Sequence, residues 1–355
     1  LAAAETVQEA REIVSAGRRN KVINGAMQFS QRTTSESGLS SSNTVRVLDR
    51  FQVRINSTGT WTVSQSTQSP PGFAHSMRWQ CTTADASLGA SDFMYMAHRF
   101  EGKDVQDLAK GTSSAKPVTV SFWVRSTVTG SYSFRLVDNQ NNRQIGQNYT
   151  VNQADTWEHK TMTFAGDTTG ALTNDSSNRF SMMWWLAVGS NRTSGAIPTS
   201  WETMTTADEA AGQTANIASS TSNNFFITGI QLEVGRNATE FEHRSYGEEL
   251  ALCQRYYQKK RIGYGRVAHF RTDAILVFAA DLPVELRGTA GSITQDTGLN
   301  QWAYRDGVSP TISSIQSNNS SASQTTLTVL YTVSSGGDSD ETCFYFGGGS
   351  ILIDA

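Results

Sequence analysis

The residues of this chain whose types and spacing best suit binding chemistry are Trp302, Tyr304, Arg305 and Asp306. Trp302 and Tyr304 alternate, so their rings fall on one side of a short extended segment within the polar stretch 296–310. An aromatic ring can stack on the C–H face of a sugar, while guanidinium and carboxylate groups hydrogen-bond its hydroxyls. The pattern predicts a glycan-binding loop. Burial of Trp302 under its own loop is the alternative.

Trp201 is a second candidate for stacking on a sugar. It lies in a segment rich in Pro, Ser and Thr, residues 198–206, outside any clear strand pattern. Trp123, Trp157 and Trp185 fall instead within apolar runs that resemble buried strands. We expect these three rings in the core.

Catalytic motifs are not evident in the sequence. It contains no phosphate-binding Gly-Lys-Ser/Thr loop, nucleophile elbow or HExxH, and the Gly347–Gly349 run, without a following Lys, predicts a tight turn. Glycoside hydrolysis needs two carboxyl groups about 5–10 Å apart, which scattered Asp and Glu residues leave possible. A polysaccharide-cutting β-helix would show a repeated rung, and none is visible. We therefore expect a protein that is not an enzyme.

No metal or other cofactor is predicted. Cys81, Cys253 and Cys343 are odd in number and widely spaced, and no CxxC pair or zinc-ligand histidine spacing occurs. Free buried thiols are expected, as in a protein assembled in a reducing cytosol. The acidic cluster 338–341 could hold calcium through its oxygens, although a solvated turn explains it equally well.

Composition restricts the possible partners. The net charge of −3 gives no general attraction to nucleic acid, and no apolar run is long enough to cross a membrane. The basic run Lys259–Arg261 is expected at the end of a helix, where it complements the helix dipole. Leu1–Ala4, followed by Glu, is too short to be a signal peptide. Ten per cent aromatic residues indicate a folded chain.

Residues 1–19 are predicted to form a helix with a coiled-coil seam. Ala3, Val7, Ala10 and Val14 repeat at alternating intervals of four and three residues. The seam covers only two heptads, so the helix needs a partner. It either joins copies of the chain in a parallel homotrimer, which we favour, or docks on its own domain.

The rest of the chain reads as mainly β. Short alternating runs separated by polar turns predict a β-sandwich jelly roll over residues 20–245, with one internal helix at 103–110. An amphipathic linker helix is predicted at 246–260, with Leu250, Cys253, Tyr256 and Tyr257 on its apolar side. Residues 261–355 then form a smaller all-β domain.

Five segments carry a resemblance to known proteins: KVINGAMQFSQR (21–32), VTVSFWVRSTVTGSYSF (118–134), TWEHKTMTFAGD (156–167), FFITGIQLEVG (225–235) and EELALCQRYYQ (248–258). In this order they resemble structural proteins of tailed bacteriophages, namely tail fibres, receptor-binding proteins and related virion appendages. The resemblance covers roughly residues 20–260. It implies a jelly roll similar to carbohydrate-binding domains.

The resemblance also implies details of the domain ends. The last strand, Ile227–Gly235, is expected to pair with one near Asn24–Phe29. Related jelly rolls often hold a structural calcium ion at this junction. Here Gln28 and Gln31 stand where carboxylates would be expected, so no metal is predicted.

Two functional hypotheses follow. The first is a tail fibre or receptor-binding protein that attaches the virion to a host surface polysaccharide, with other virion proteins bound at its N-terminus. The second is a structural virion protein, such as a connector, collar fibre or capsid decoration, without its own receptor. The terminal β-domain, which a connector does not need, favours the first. Either protein would be assembled in the host cytoplasm without a leader.

Overall fold

A computed structural model describes residues 18–41, 44–56, 58–262, 266–272, 275–288, 292–295, 301–304, 312–315, 321–322, 326–333, 342–347 and 349–354. The chain forms two compact units, Leu1–Arg244 and Ser245–Ala355. Most of the predicted coiled-coil helix, including Val7, Ala10 and Val14, lies outside the described residues. The predicted mainly β class is confirmed.

The first unit is built from antiparallel strands. In its described residues these are β1 (Ser35–Leu39), β2 (Thr44–Val45), β3 (Phe51–Asn56), β4 (Thr60–Ser66), β5 (Ser76–Thr83), β6 (Phe93–Glu101), β7 (Val118–Ser126), β8 (Gly130–Asp138), β9 (Arg143–Val151), β10 (Glu158–Phe164), β11 (Asn178–Val188), β12 (Glu202–Thr203) and β13 (Asn224–Val234).

These strands form two sheets with one core between them. The first sheet has the order β1-β4-β5-β13-β7-β10, and the second has the order β12-β9-β8-β11-β6-β3-β2. Successive side chains in a strand point to opposite faces, so one set from each sheet meets in the middle. Phe122 of the first sheet lies 5.8 Å from the ring of Trp184 in the second, and Phe134 lies 4.9 Å from Trp184. The predicted sandwich is therefore present.

The predicted internal helix at 103–110 is instead a 3₁₀ helix, Gly102–Leu108. Val105 interrupts it with non-helical angles, and Ala109 ends it in the left-handed region. Lys110 then turns inward, and its ammonium group contacts the carboxylates of Asp138 and Asp167. This ion cluster fixes the end of the helical turn.

The two ends of the first unit meet, although not as two paired strands. Ile230 in β13 donates its backbone N–H to the carbonyl of Gly25 at 3.0 Å. Residues 23–26 form turns because Asn24 adopts a positive φ of 62°, so the expected strand at Asn24–Phe29 is wrong. Glu242 accepts the backbone N–H groups of Arg19 and Asn20 at 2.8 and 2.7 Å, which ties the ends together.

The second unit begins with helix α1 (Tyr246–Gln254) and continues as strands. The strands are β14 (Tyr257–Ile262), β15 (Arg266–Thr272), β16 (Ile275–Asp281), β17 (Ser292–Gln295), β18 (Gln301–Tyr304), β19 (Ile312–Ile315), β20 (Ser321–Ala322), β21 (Thr326–Val333), β22 (Thr342–Gly347) and β23 (Gly349–Asp354). One sheet has the order β14-β23-β17, and the other has the order β18-β22-β15-β16-β21-β19, with β20 paired to β21.

Helix α1 is shorter than the predicted linker helix 246–260. It ends at Gln254, and the stretch Tyr257–Ile262 is strand β14, paired with β23. Tyr side chains favour strands, and β23 supplies the backbone hydrogen bonds that a longer helix would have made internally. The basic run Lys259–Arg261 therefore lies in a strand and not at a helix end. Cys253, Tyr256 and Tyr257 are buried, whereas Leu250 is only partly buried.

Candidate functional site

The structure does not place the main sequence-predicted site in a loop. Trp302 and Tyr304 lie in β18, an edge strand, opposite Phe346 and Phe344 of β22. The sequence Gln-Trp-Ala-Tyr has the alternation of a strand, and β22 provides its hydrogen-bonding partner. Arg305 and Asp306 lie outside the described residues. The predicted cluster of four side chains therefore stays a prediction.

Trp201, the second candidate for stacking on a sugar, packs against other residues of the first unit. Its indole Nε1 donates to the carbonyl of Ala165 at 2.8 Å, and the ammonium of Lys110 lies 5.4 Å from the ring centre. The ring also packs 6.1 Å from Phe180. These contacts hold the partly exposed Trp201 ring against the core.

Other aromatic residues occupy the two outer faces of the sandwich. Phe122–Trp123 and Trp184–Trp185 are adjacent aromatic pairs in strands. Since neighbouring residues point to opposite faces, Phe122 and Trp184 fill the core and their partners point outward. Of the three tryptophans expected in the core, Trp185 is buried on an outer face, whereas Trp123 and Trp157 are partly exposed. The expectation of core burial is wrong for Trp123 and Trp157.

The outer face of the second sheet carries a group that we call the covered face: Phe93, Tyr95, Arg135 and Trp185. The rings of Tyr95 and Trp185 meet edge to face at 5.1 Å, and Phe93 stacks on Tyr95 at 5.8 Å. The guanidinium of Arg135 lies 5.2 Å from the centre of the Trp185 ring. Trp185 is only 1% exposed.

Residues 190–213, the covering segment, lie over this face. Glu209 pairs with Arg135 at 3.0 Å and with Arg192 at 2.9 Å, and Asn148 on β9 donates to the carbonyl of Ala211 at 3.0 Å. Burial lowers the pKa of Arg135, while the carboxylate of Glu209 acts in the opposite direction. The buried guanidinium of Arg135 is therefore paired with a carboxylate of the same chain.

The outer face of the first sheet carries a second group, which we call the open face: Arg78, Trp123, Arg125, Trp157 and Phe226. Trp157 lies 6.2 Å from Phe226, over which Arg125 and Arg78 sit at 5.1 and 5.7 Å. Trp123 and Trp157 are both partly exposed. Two indole rings and two guanidinium groups, from β5, β7 and the residue before β10, are thus partly exposed on this side of the sheet.

Gly229 allows aromatic rings to lie close to this part of the sheet. It has a φ of 63° at an irregularity between β13 and β7. A Cβ at this position would lie 2.7 Å from Cζ of Phe73 and 3.0 Å from Cδ1 of Trp123. Both rings therefore approach the glycine more closely than any other residue would permit.

The polar groups of the open face are held in place by hydrogen bonds. Arg125 pairs with Asp155 at 3.1 Å and donates its Nη1 to Gln68 at 3.0 Å. Arg78 donates its Nε and Nη2 to the amide oxygen of Asn224 at 2.9 and 2.8 Å. Partly exposed indoles beside fixed donors can stack on sugar rings and bind their hydroxyls.

A signal for the open face was present in the sequence. In the segment Ser-Phe-Trp-Val-Arg the two bulky rings are consecutive, so in a strand only one of them can enter the core. The arginine two residues after Trp123 falls on the same face as the outward ring.

Comparison with known proteins gives no family. No protein-family profile matches the chain, and no curated protein matches it.

Among the described residues no group of three or more His, Cys, Asp or Glu side chains could hold a metal ion. The helices in that part of the chain include none long and apolar enough to cross a membrane.

Several solved structures are similar to part of the chain. The enzymatically active domain of tailspike protein 4 from bacteriophage CBA120 matches 61% of this chain at 11% identity, with a TM-score of 0.32, and 21% of the tailspike chain is covered. An arabinose-bound α-L-arabinofuranosidase matches 61% at 12% identity and a TM-score of 0.33, with 26% of the enzyme covered.

A family 11 carbohydrate-binding module from Clostridium thermocellum, in complex with a mixed-linked tetrasaccharide, is covered completely by 60% of this chain. The identity is 10% and the TM-score is 0.28. The chain therefore spans about a fifth to a quarter of the tailspike and the arabinofuranosidase, and the whole of this module. At TM-scores of this size the matches carry no argument about function.

Proposed function

We propose that this chain is a bacteriophage tail fibre or receptor-binding protein that attaches the virion to a glycan on the host surface. The observation that carries the proposal is the open face, where Trp123 and Trp157 are partly exposed beside fixed guanidinium donors. The sequence resemblance to phage virion proteins supports a location on the virion. The proposal is for binding without catalysis.

The chemistry of the open face suits a weak site for sugars. Large aromatic rings lose little entropy when they bind, and their faces pack against the C–H groups of a sugar. One such site would bind at about millimolar affinity. Three copies on a homotrimer that engage one surface together would raise the apparent affinity by about 10²–10⁴. Trimerisation through the N-terminal helix is part of the proposal.

Other protein partners follow from the proposed location on the virion. The N-terminus would bind other tail or virion proteins, and the protein would be assembled in the host cytoplasm and carried on the virion. Nucleic acid is not among the proposed partners because the net charge is −3.

The structural virion protein is the second candidate. The same partly exposed rings could pack against another copy of the chain, since exposed apolar patches also mark interfaces between proteins. In that case the open face would be buried in the assembly and would bind no glycan.

The test uses the full chain with a fluorescent label. Binding to a glycan array and to a panel of bacterial strains is measured for the wild type, Trp123→Ala and Trp157→Ala, with Trp302→Ala as the matched control. The proposal predicts that the wild type binds a restricted set of glycans and that both open-face variants lose binding about tenfold or more. Trp302→Ala should bind as the wild type does.

Light scattering on the same proteins separates the two candidates. If the open face is an interface between copies, Trp123→Ala will lower the molar mass and the wild type will bind no glycan. Binding lost with unchanged molar mass supports the receptor-binding function. Release of reducing sugars from a bound glycan would contradict the assignment as a protein without catalysis.

A further inference from the structure

The two arginines of the open face differ in how their charges are balanced. Arg125 forms an ion pair with Asp155 at 3.1 Å. Arg78 forms no ion pair with any residue that the structure describes, and its hydrogen bonds go to Asn224. The open face therefore presents one guanidinium charge that the described part of the chain does not neutralise.

The position of Arg78 is fixed before any partner binds. A single neutral oxygen, Oδ1 of Asn224, accepts hydrogen bonds from both Nε and Nη2. Asn224 is held in turn, since its backbone N–H donates to Oγ1 of Thr127 and its side-chain amide donates to the carbonyl of Ser222. The Nη1 group makes no hydrogen bond to a described residue. A guanidinium arranged in this way loses little freedom when it binds an anion.

Arg78 also lies beside the aromatic part of the site. Its guanidinium is 5.7 Å from the centre of the Phe226 ring, and the Trp157 ring is 6.2 Å from the same centre. The cation and the partly exposed indole therefore both lie beside the same buried ring.

We propose that the open face recognises an acidic glycan, with Arg78 binding the oxyanion of a charged sugar while Trp157 stacks on a sugar ring. This inference rests on the proposed function and names the class of its ligand. The oxyanion is a carboxylate, a sulfate or a phosphate, all of which accept hydrogen bonds from guanidinium groups. Because Asn224 already accepts from Nε and Nη2, the oxyanion would bind to Nη1 and to the second hydrogen of Nη2. Arg125, already paired with Asp155, serves neutral hydroxyls.

The test compares Arg78→Gln with Arg54→Gln. Both changes remove one positive charge, and Arg54 is also an arginine over a phenylalanine, 5.8 Å from the ring of Phe93 on the other sheet. The probe is an array of neutral, carboxylated, sulfated and phosphorylated glycans, on which the two variants, the wild type and Trp157→Ala are measured at low and moderate salt. The carboxylated glycan bound best is then tested again after chemical reduction of its carboxyl groups.

We expect the glycans bound by the wild type to be acidic. Arg78→Gln should lower the affinity for these glycans about tenfold or more. Arg54→Gln should bind as the wild type does. The class of glycan bound best, and the effect of carboxyl reduction, identifies which oxyanion is recognised.

Three results would overturn the inference. If the wild type binds neutral glycans as well as acidic ones, or if Arg78→Gln binds like Arg54→Gln while Trp157→Ala loses binding, the acidic ligand is wrong while the proposed function stands. If Arg78→Gln and Trp157→Ala both leave binding unchanged, the site lies elsewhere. If the wild type binds no glycan at all, the proposed function itself has failed.

Discussion

The two outer faces of the sandwich combine aromatic rings with arginines but differ in what lies over them. On the covered face, Glu209 neutralises Arg135 and the covering segment removes Trp185 from solvent. On the open face, Trp123 and Trp157 remain partly exposed, and Asp155, the one carboxylate paired there with Arg125, is 57% exposed. The same side chains stabilise the fold in one place and are available to a partner in the other.

The largest expected difference between the two faces is in the loss of stability when a tryptophan is removed. Trp185→Ala should lower the free energy of unfolding by about 3–5 kcal/mol because it empties a buried site. Trp123→Ala should lower it by only about 1 kcal/mol, since that ring is partly in water already. Urea unfolding followed by circular dichroism measures both. Equal losses would mean that the open face is as structural as the covered one.

Removing a carboxylate from each face tests the charge contrast. Glu209→Ala leaves the buried guanidinium of Arg135 without its partner, and we expect a loss of about 3 kcal/mol. Asp155→Ala breaks a largely exposed pair with Arg125 and should cost less than about 1 kcal/mol. Thermal unfolding of the two variants at equal salt gives the comparison. A loss for Asp155→Ala as large as that for Glu209→Ala would contradict it.

A glycine substitution tests the close approach of the rings on the open face. Gly229→Ala adds a Cβ 2.7 Å from Phe73 and 3.0 Å from Trp123, so we expect a loss of about 2 kcal/mol together with weaker glycan binding. Gly72→Ala is the control, because its φ of 89° is also positive but no atom lies within 4 Å. Similar losses for the two variants would show that only the backbone angle matters.

Burial of His98 in the core should make the stability of the protein depend on pH. His98 is fully buried, and burial lowers its pKa well below the usual 6.5. The unfolded chain therefore takes up a proton below pH 6.5 that the folded chain does not. Stability should fall as the pH decreases through this range, by up to about 1.4 kcal/mol per pH unit.

Urea unfolding at pH 7, 6 and 5 gives the slope, and the imidazole NMR signal of His98 reports its charge. A signal that titrates near pH 6.5 in the folded protein would disprove the assignment.

Much of the fold could be predicted from the sequence because strand alternation is a local signal. The runs around Phe122 and Phe134 predicted strands that the structure contains. The end of α1 could not be predicted in the same way, because Tyr257 belongs to a strand only through its partner β23, which is nearly a hundred residues away. Local pattern cannot supply such a partner.

The site was harder to predict for a related reason. The sequence indicated tryptophans beside an arginine around Trp302, and this site stays a prediction because Arg305 and Asp306 lie outside the described residues. The structure also contains partly exposed tryptophans beside arginines at Trp123 and Trp157. Whether a ring on an outer face of the sandwich is exposed to solvent depends on whether another segment of the chain folds over that face. The covering segment buries Trp185, and alternation alone does not distinguish it from Trp123.

The most direct measurement is hydroxyl-radical footprinting of the tryptophans, read by mass spectrometry, with and without the glycan bound best on the array. We expect Trp123 and Trp157 to be oxidised in the free protein and protected by the glycan, and Trp185 to be unreactive in both states. Protection of Trp302 or Trp201 with no change at Trp123 and Trp157 would contradict the assignment of the open face as the binding site.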